Sequence, residues 1–440
     1  MELMFENEEF PKNGEVSFDG TEITEIVMDG VTVWERQSLP RLIQEILLPS
    51  MASGSPQIFP DGRIIMGTRI IMPNNQVVNP SHNITGGVVH AHINGNRALL
   101  LTSWLGAGVS HPPGNPRIGI LHANNTITHI ELVVRGSFAV NRGNDIILIY
   151  SGSDGVGAVQ VLNASNNLIN ISNNFPNPAD LGVSVFAVGV RANGQVAMRN
   201  WNNVLFLLNT NNTVSSITLP AGTWDRMVVR GNDIYLFSNA ARANFIHINA
   251  SNQLNLINIG ATVASGNVGL VGNLVMFAPN AASTIVRFID LTNAVRAVTG
   301  LTNRVYQPNA SIAVDEWVIL GSNTVSTVLN RVNTTNWLGQ NVALNPSLSI
   351  AGSGRATQNQ IMFKGLLFPL GSSGTAAQAT DIDIVIFCDP RESDISPLTR
   401  HDIPVARGRW YGSGIVRGDE LVLFTTVIGT ADRIAFAVIS

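Results

Sequence analysis

The chain is predicted to be all-β, a single β-propeller built from tandem four-stranded units, and three observations carry this. Charged residues are only 13% against 45% hydrophobic, in a chain with 40 glycines, a composition that favours turn-dense sheet over helix. Hairpin turns recur at intervals of roughly forty to fifty residues, the period of propeller blades. A second, Asn-rich turn recurs in phase with the first.

The first turn family is nearly superimposable in three places: Val140-Asn141-Arg142-Gly143-Asn144-Asp145, Val228-Val229-Arg230-Gly231-Asn232-Asp233 and Val416-Arg417-Gly418-Asp419-Glu420. Looser copies stand at Asp61-Gly62, Asn94-Gly95-Asn96, Asn193-Gly194, Gly272-Asn273, Asp315-Glu316 and Asn359-Gln360. The second family is Leu162-Asn163-Ala164-Ser165-Asn166, Ile248-Asn249-Ala250-Ser251-Asn252, His122-Ala123-Asn124-Asn125 and Leu208-Asn209-Thr210-Asn211-Asn212. Asn suits these turns because it tolerates left-handed backbone. The first family reads as the turn between strands one and two of a unit, the second as the turn between strands three and four.

Seven complete units follow, near 83–132, 133–174, 183–219, 223–259, 266–304, 305–345 and 353–402. Residues 407–440 supply three more strands, and 57–78 supplies strands with no complete unit of their own. Joining the two chain ends in a final sheet would remove exposed edges, so eight blades are expected, with seven as the alternative.

Before the ring, Asp19-Gly20 and Asp29-Gly30 separate short alternating runs, a strong hairpin signal read as a three-stranded meander within residues 1–38. Residues 39–55 read as a short helix, with apolar Leu42, Ile43, Ile46 and Leu47 between Pro40 and Pro49, and then a hinge at 50–55; residues 56–440 form the propeller. Residues 1–35 hold ten acids and one base, net −9, while the remaining 25 bases and 20 acids give net +5. Such segregation points to two parts that meet different partners. An excess of five over 405 residues is too thin for a nucleic-acid footprint, and no run reaches the eighteen apolar residues of a membrane span. The acidic start is no signal peptide. The single Cys388 excludes an internal disulfide framework, and no cofactor is expected.

Function in a propeller commonly sits on the face carrying the turns between strands two and three. Those loops contribute Trp104, His111, Arg117, Arg199, Trp201 and Arg242. Aromatic rings beside neutral polar groups suit sugar stacking, and Arg suits carboxylated sugars; the competing reading is that the tryptophans cap blade packing. His90 and His92 share a strand face and form a two-ligand metal candidate, against ordinary hydrogen-bonded histidines. A glycosidase needs paired carboxylates; the loop face offers chiefly Asp154 and Asp432. No nucleophile elbow or phosphate-binding loop is present.

The segment Ile23-Thr24-Glu25-Ile26-Val27-Met28-Asp29-Gly30-Val31-Thr32-Val33-Trp34 resembles a short module found near the ends of bacteriophage tail and other virion structural proteins. The resemblance covers about fifteen residues and implies a non-enzymatic tail, collar or fibre protein in the virion, made in the host cytoplasm. It implies docking onto other virion proteins through residues 1–38, with Ile23, Ile26, Val31, Val33 and Trp34 at the contact, several copies per particle, and a propeller used for assembly or for binding host-surface glycan. The alternative is a propeller hydrolase or lyase acting on bacterial surface polysaccharide.

Overall fold

The computed structural model describes strands within 16–48 and, in the ring, 56–82, 88–102, 117–131, 137–151, 157–176, 187–200, 202–321 apart from 239, 241, 264–266 and 280, then 328–343 and strands within 359–439. Cys388 and the hinge at 50–55 lie outside the described residues.

The fold is an all-β propeller. Eight four-stranded antiparallel sheets are present among the described residues, each pairing consecutive strands in chain order except the last. Seven span 57–78, 88–131, 137–170, 187–218, 226–263, 267–298 and 312–343. Two hairpins follow, Asn359–Phe363 with Leu366–Leu370 and Ile384–Ile386 with Arg400–Asp402. The eighth sheet joins Arg409–Arg417, Glu420–Val427 and Ile434–Ile439 to Leu42–Leu48. Its first strand, Arg409–Arg417, packs on Gln57–Ile58 at one side and on Asn359–Phe363 at the other, so the ring closes.

The closure uses a different segment from the one expected. Residues 57–78 form a complete sheet of short strands, and the segment read as a helix is strand Leu42–Leu48, with Ile434 opposite Leu48 and Phe436 opposite Ile46. The apolar spacing of Leu42, Ile43, Ile46 and Leu47 fits a helical face in isolation, but Ile434–Ile439 would otherwise expose a row of unpaired amide and carbonyl groups. Long-range pairing therefore overrides local periodicity. The N-terminal module likewise differs: Val16–Phe18 pairs with Thr21–Ile23, and Glu25–Met28 pairs with Val31–Glu35, two hairpins in place of one three-stranded meander. The expected strand 23–28 is divided between Thr21–Ile23 and Glu25–Met28, and the second hairpin carries a register shift between Ile26 and Val27. Both Asp-Gly pairs stand between paired strands as expected.

The interior is a succession of apolar seams between neighbouring sheets. One joins Ala197, Leu205 and Leu207 to Leu219, Trp224, Ile234, Leu236, Ile246 and Ile248, all buried; another joins Tyr235, Phe237 and Phe245 to Val275, Phe277 and Ile289. Each fully buried Leu, Ile or Phe contributes roughly 1.5–3 kcal/mol, so most of the stability lies in these seams.

The two turn families turn out to be halves of one device. Each Asn-rich turn ends in an Asn at positive φ, between 63° and 65° at Asn75, Asn125, Asn166, Asn212, Asn252 and Asn293. Each of these side chains accepts a hydrogen bond from an arginine at the first turn of the preceding sheet: Arg63 to Asn125 (2.7 Å), Arg97 to Asn166 (2.6 Å), Arg142 to Asn212 (2.9 Å), Arg191 to Asn252 (2.5 Å), Arg230 to Asn293 (2.5 Å) and Arg417 to Asn75 (2.6 Å). The same guanidinium groups donate to backbone carbonyls of the clasped turn, such as Asn209 from Arg142 and Met72 from Arg417. The last latch spans the two ends of the ring. At the seam after sheet 267–298 the pair changes character: Val271 stands in the arginine position, and Trp337, at φ 60°, stands where the others have Asn. Val271 and Trp337 belong to one apolar cluster with Phe288 and Val318, so this seam is clasped by packing instead of by hydrogen bonds.

Candidate functional site

Antiparallel order places the turns after strands one and three on one face, where the latches are, and the turns after strand two together with the sheet-to-sheet linkers on the other. Charge divides accordingly. Among side chains described, the latch face carries Asp61, Asp145, Asp233, Asp290, Asp315, Glu316, Asp419 and Glu420, several ion-paired with arginine. Among described side chains the linker face carries Arg69, Arg199, Arg226, Arg242, Arg287 and Arg304 and one carboxylate, Asp225, while Asp154 and Asp432, expected on this face, lie outside the described residues.

The best-formed part of this face is the seam between sheets 187–218 and 226–263. Arg199 ends strand Val196–Arg199 opposite Leu205, and strand alternation puts it on the side of Ala197, which packs into the seam with Trp224. It is 1% exposed and donates to Asn203 Oδ1 at 2.8 Å. Burial holds its guanidinium down to about 10, partly opposed by Asp225. Asn200 supports the turn by accepting from the Asn202 and Val204 amides, and Asn203 takes φ 57°. The Arg-to-Asn pairing of the latches is thus reused within one hairpin.

Arg242 opens strand Arg242–Ile248, and its guanidinium carbon lies 5.0 Å from the centre of the Trp224 ring. Trp224 is itself buried, with its indole N–H donating to the Pro220 carbonyl at 2.9 Å. Gly222, at φ 147°, lies directly against the Arg242 guanidinium, and a Cβ there would collide with its nitrogens. The linker therefore favours glycine on conformational grounds, and a Cβ here would push the Arg242 guanidinium aside. The neighbouring Thr223 and Ser238 hydroxyls lie 3.4 Å apart. One seam further on, Arg287 is 9% exposed with its Nε lacking a hydrogen-bond partner, and burial lowers its proton affinity; Arg304 is shifted down by burial too.

Of the residues singled out from the sequence, Arg199 and Arg242 are brought to one seam. Arg117 begins strand Arg117–Leu121 opposite Glu131. Trp104, His111, Trp201, Asp154 and Asp432 lie outside the described residues. His90 and His92 stand opposite Leu101 and Leu99 on the same strand, and no group of three His, Cys, Asp or Glu converges among the described residues. Ile23, Ile26, Val31, Val33 and Trp34 all lie in the paired strands of the N-terminal hairpins, with Ile26 opposite Trp34. Sequence reasoning passed over Gly222, Trp224, Asp225, Arg287 and Arg304. It followed only the strand-two-to-three turns, whereas linkers such as Pro220–Asp225 share their face; an Arg-rich linker face was the signal available.

No protein-family model matches the sequence, and no curated protein matches it. Among solved structures, the Dos1 propeller aligns with TM-score 0.47 at 13% identity over 91% of this chain and 95% of that one. BamB from Moraxella catarrhalis aligns with TM-score 0.45 at 14% identity over 76% and 97%, and AztD from Citrobacter koseri with 0.41 at 10% over 83% and 96%. The fold is read from the chain's own sheets and from the closed circuit of their first strands.

Proposed function

We propose that this chain is a non-enzymatic virion protein whose propeller presents its linker face to an anionic host-surface glycan, while residues 1–38 dock onto the particle. The observation that supports the binding half is the charge division between the faces, six arginines to one carboxylate on the linker side among described side chains. Burial lowers the proton affinity of Arg69, Arg199, Arg287 and Arg304, and an anion brought to such groups restores part of the charge stabilisation lost with water. They are spread over several seams in a chain of net charge −4, which suits discrete acidic groups better than the continuous phosphate of nucleic acid. The docking half rests on the resemblance of residues 23–34 and on the acidity of the N-terminal segment.

Two measurements test it. Full-length protein should bind purified acidic capsular polysaccharide and release it as salt rises, without shortening the polymer; absence of binding would refute the glycan reading, and depolymerisation would replace it with the hydrolase or lyase reading. A chain lacking residues 1–38 should keep its folded propeller yet fail to enter particles, and normal incorporation would refute the docking role.

A further inference from the structure

We infer that Arg242, in the frame made by Gly222 and Trp224, is a carboxylate-recognition point for an acidic sugar residue, a uronate or a sialate. This rests on the linker face being the glycan-binding face and names the group that would read the charge.

The geometry supplies four reasons. The guanidinium is fixed in plane: the Trp224 ring lies beneath it at 5.0 Å, and Gly222 lets backbone approach its nitrogens from the side. A planar fork held in this way is pre-organised for two parallel hydrogen bonds to a carboxylate. The side chain also remains partly exposed, while its buried Nε has no hydrogen-bond partner and none of the ion pairs among described residues involves it. The latch arginines differ in that their terminal guanidinium nitrogens donate to Asn side chains and carbonyls. Thr223, between Gly222 and Trp224 in the chain, offers a hydroxyl of the kind that hydrogen-bonds sugar hydroxyls, and Arg199, with Asp225 acting on it, adds a second cation on the same face. A free phosphate would satisfy the charge but not the hydroxyl partners. Trp224 is 2% exposed, so its role is to support the arginine, and stacking against the sugar falls to other residues.

The probe is a short oligogalacturonate, with its methyl ester as the neutral control of identical sugar backbone. Full-length protein should bind the acid and not the ester. Arg242→Gln should weaken binding of the acid at least tenfold, Arg242→Lys, which keeps the charge but loses the fork, at least threefold, and Arg296→Gln on the opposite face should leave it unchanged. Unaltered affinity in both Arg242 variants, with the wild type binding, would overturn the inference and leave the face assignment standing. Failure of the wild type to bind the acid, or equal binding of acid and ester, would overturn both. Where Arg242→Gln lowers the melting temperature, the folded Arg242→Lys variant carries the decision.

Discussion

The ring-closing latch allows closure to be measured as an energy. Arg417 is 6% exposed at its side chain; across the seam it donates to Asn75 Oδ1 at 2.6 Å and to the Met72 carbonyl at 3.1 Å, and within its own turn to Glu420. A hydrogen bond to a charged group contributes about 1.5–3 kcal/mol, and because Asn75 and Met72 are only partly buried the low end applies. Arg417→Ala should therefore cost about 3–4 kcal/mol. Asn75→Gly removes the acceptor while keeping the φ of 65° accessible, so it isolates the side-chain bond from backbone strain. A double-mutant cycle of the two, read by urea denaturation, should give a coupling of about 1.5–2 kcal/mol, matching an equivalent cycle on Arg142 and Asn212 at an internal seam. Coupling below about 0.5 kcal/mol at Arg417–Asn75, with normal coupling at Arg142–Asn212, would mean that the chain ends do not meet in solution and would refute the closed ring.

Four further outcomes are expected. Val271→Arg or Trp337→Asn alone should destabilise the protein by at least 2 kcal/mol through an unpaired buried charge or a lost aromatic contact, while the double variant should recover stability by installing the polar latch; a strictly additive double variant in thermal melts would contradict this. Gly222→Ala should lower the melting temperature and displace Arg242, visible as a change in Trp fluorescence; an unchanged spectrum and melt would argue against the close approach. Asp290 is pushed up by burial, but bonds from Thr292, Arg296 and the Ala294 and Thr292 amides outweigh this and hold it down to about 2. Its stabilising contribution, roughly 2 kcal/mol, is present above the ordinary carboxylate range and lost as pH falls from about 4 through 2, so Asp290→Asn should flatten acid unfolding across that window. Tyr235 is raised to about 12, by burial first, so its contribution holds below pH 10 and fades as pH rises through 12; Tyr235→Phe should be less stable at pH 8 and lose less on going to pH 12.

The architecture was legible because the turns repeat. Arg142-Gly143-Asn144-Asp145 and Arg230-Gly231-Asn232-Asp233 mark hairpins by local backbone demands alone, and the Asn-rich turns do the same, so the boundaries of sheets 137–170, 187–218 and 226–263 follow from spacing. Leu42–Leu48 was misread for the opposite reason, since nothing local distinguishes its apolar pattern from a helical face. Its partner is Ile434–Ile439, nearly four hundred residues away. Arg199 and Arg242 were found because they flank loops already placed on one face. Trp224 and Gly222 were missed because their roles exist only once Arg242 lies across them, a tertiary relation with no trace in spacing.

Seen through its arginines, the ring separates holding from binding by one variable, the supply of acceptors. On the latch face each guanidinium meets an Asn whose left-handed backbone turns its side chain toward the seam, joined by carbonyls and, at Arg63, Arg142 and Arg417, by a carboxylate, with the Arg191 Nε left unpartnered. On the linker face Arg287 is equally buried but has an unmatched Nε, and Arg242 rests on a ring instead of an acceptor. Leaving such groups unmatched costs several kcal/mol in an apolar seam, a cost that a purely structural ring would relieve by the Asn it uses on the other side. That Arg242 and Arg287 keep buried Nε groups without hydrogen-bond partners on this face is what a surface built to accept an anion from outside would show. Replacing Arg287 by Met, of similar length and no charge, should therefore raise the melting temperature while weakening the binding of acidic glycan. A lower melting temperature would mean that the guanidinium is satisfied within the protein, and the functional reading of that face would lose its energetic basis.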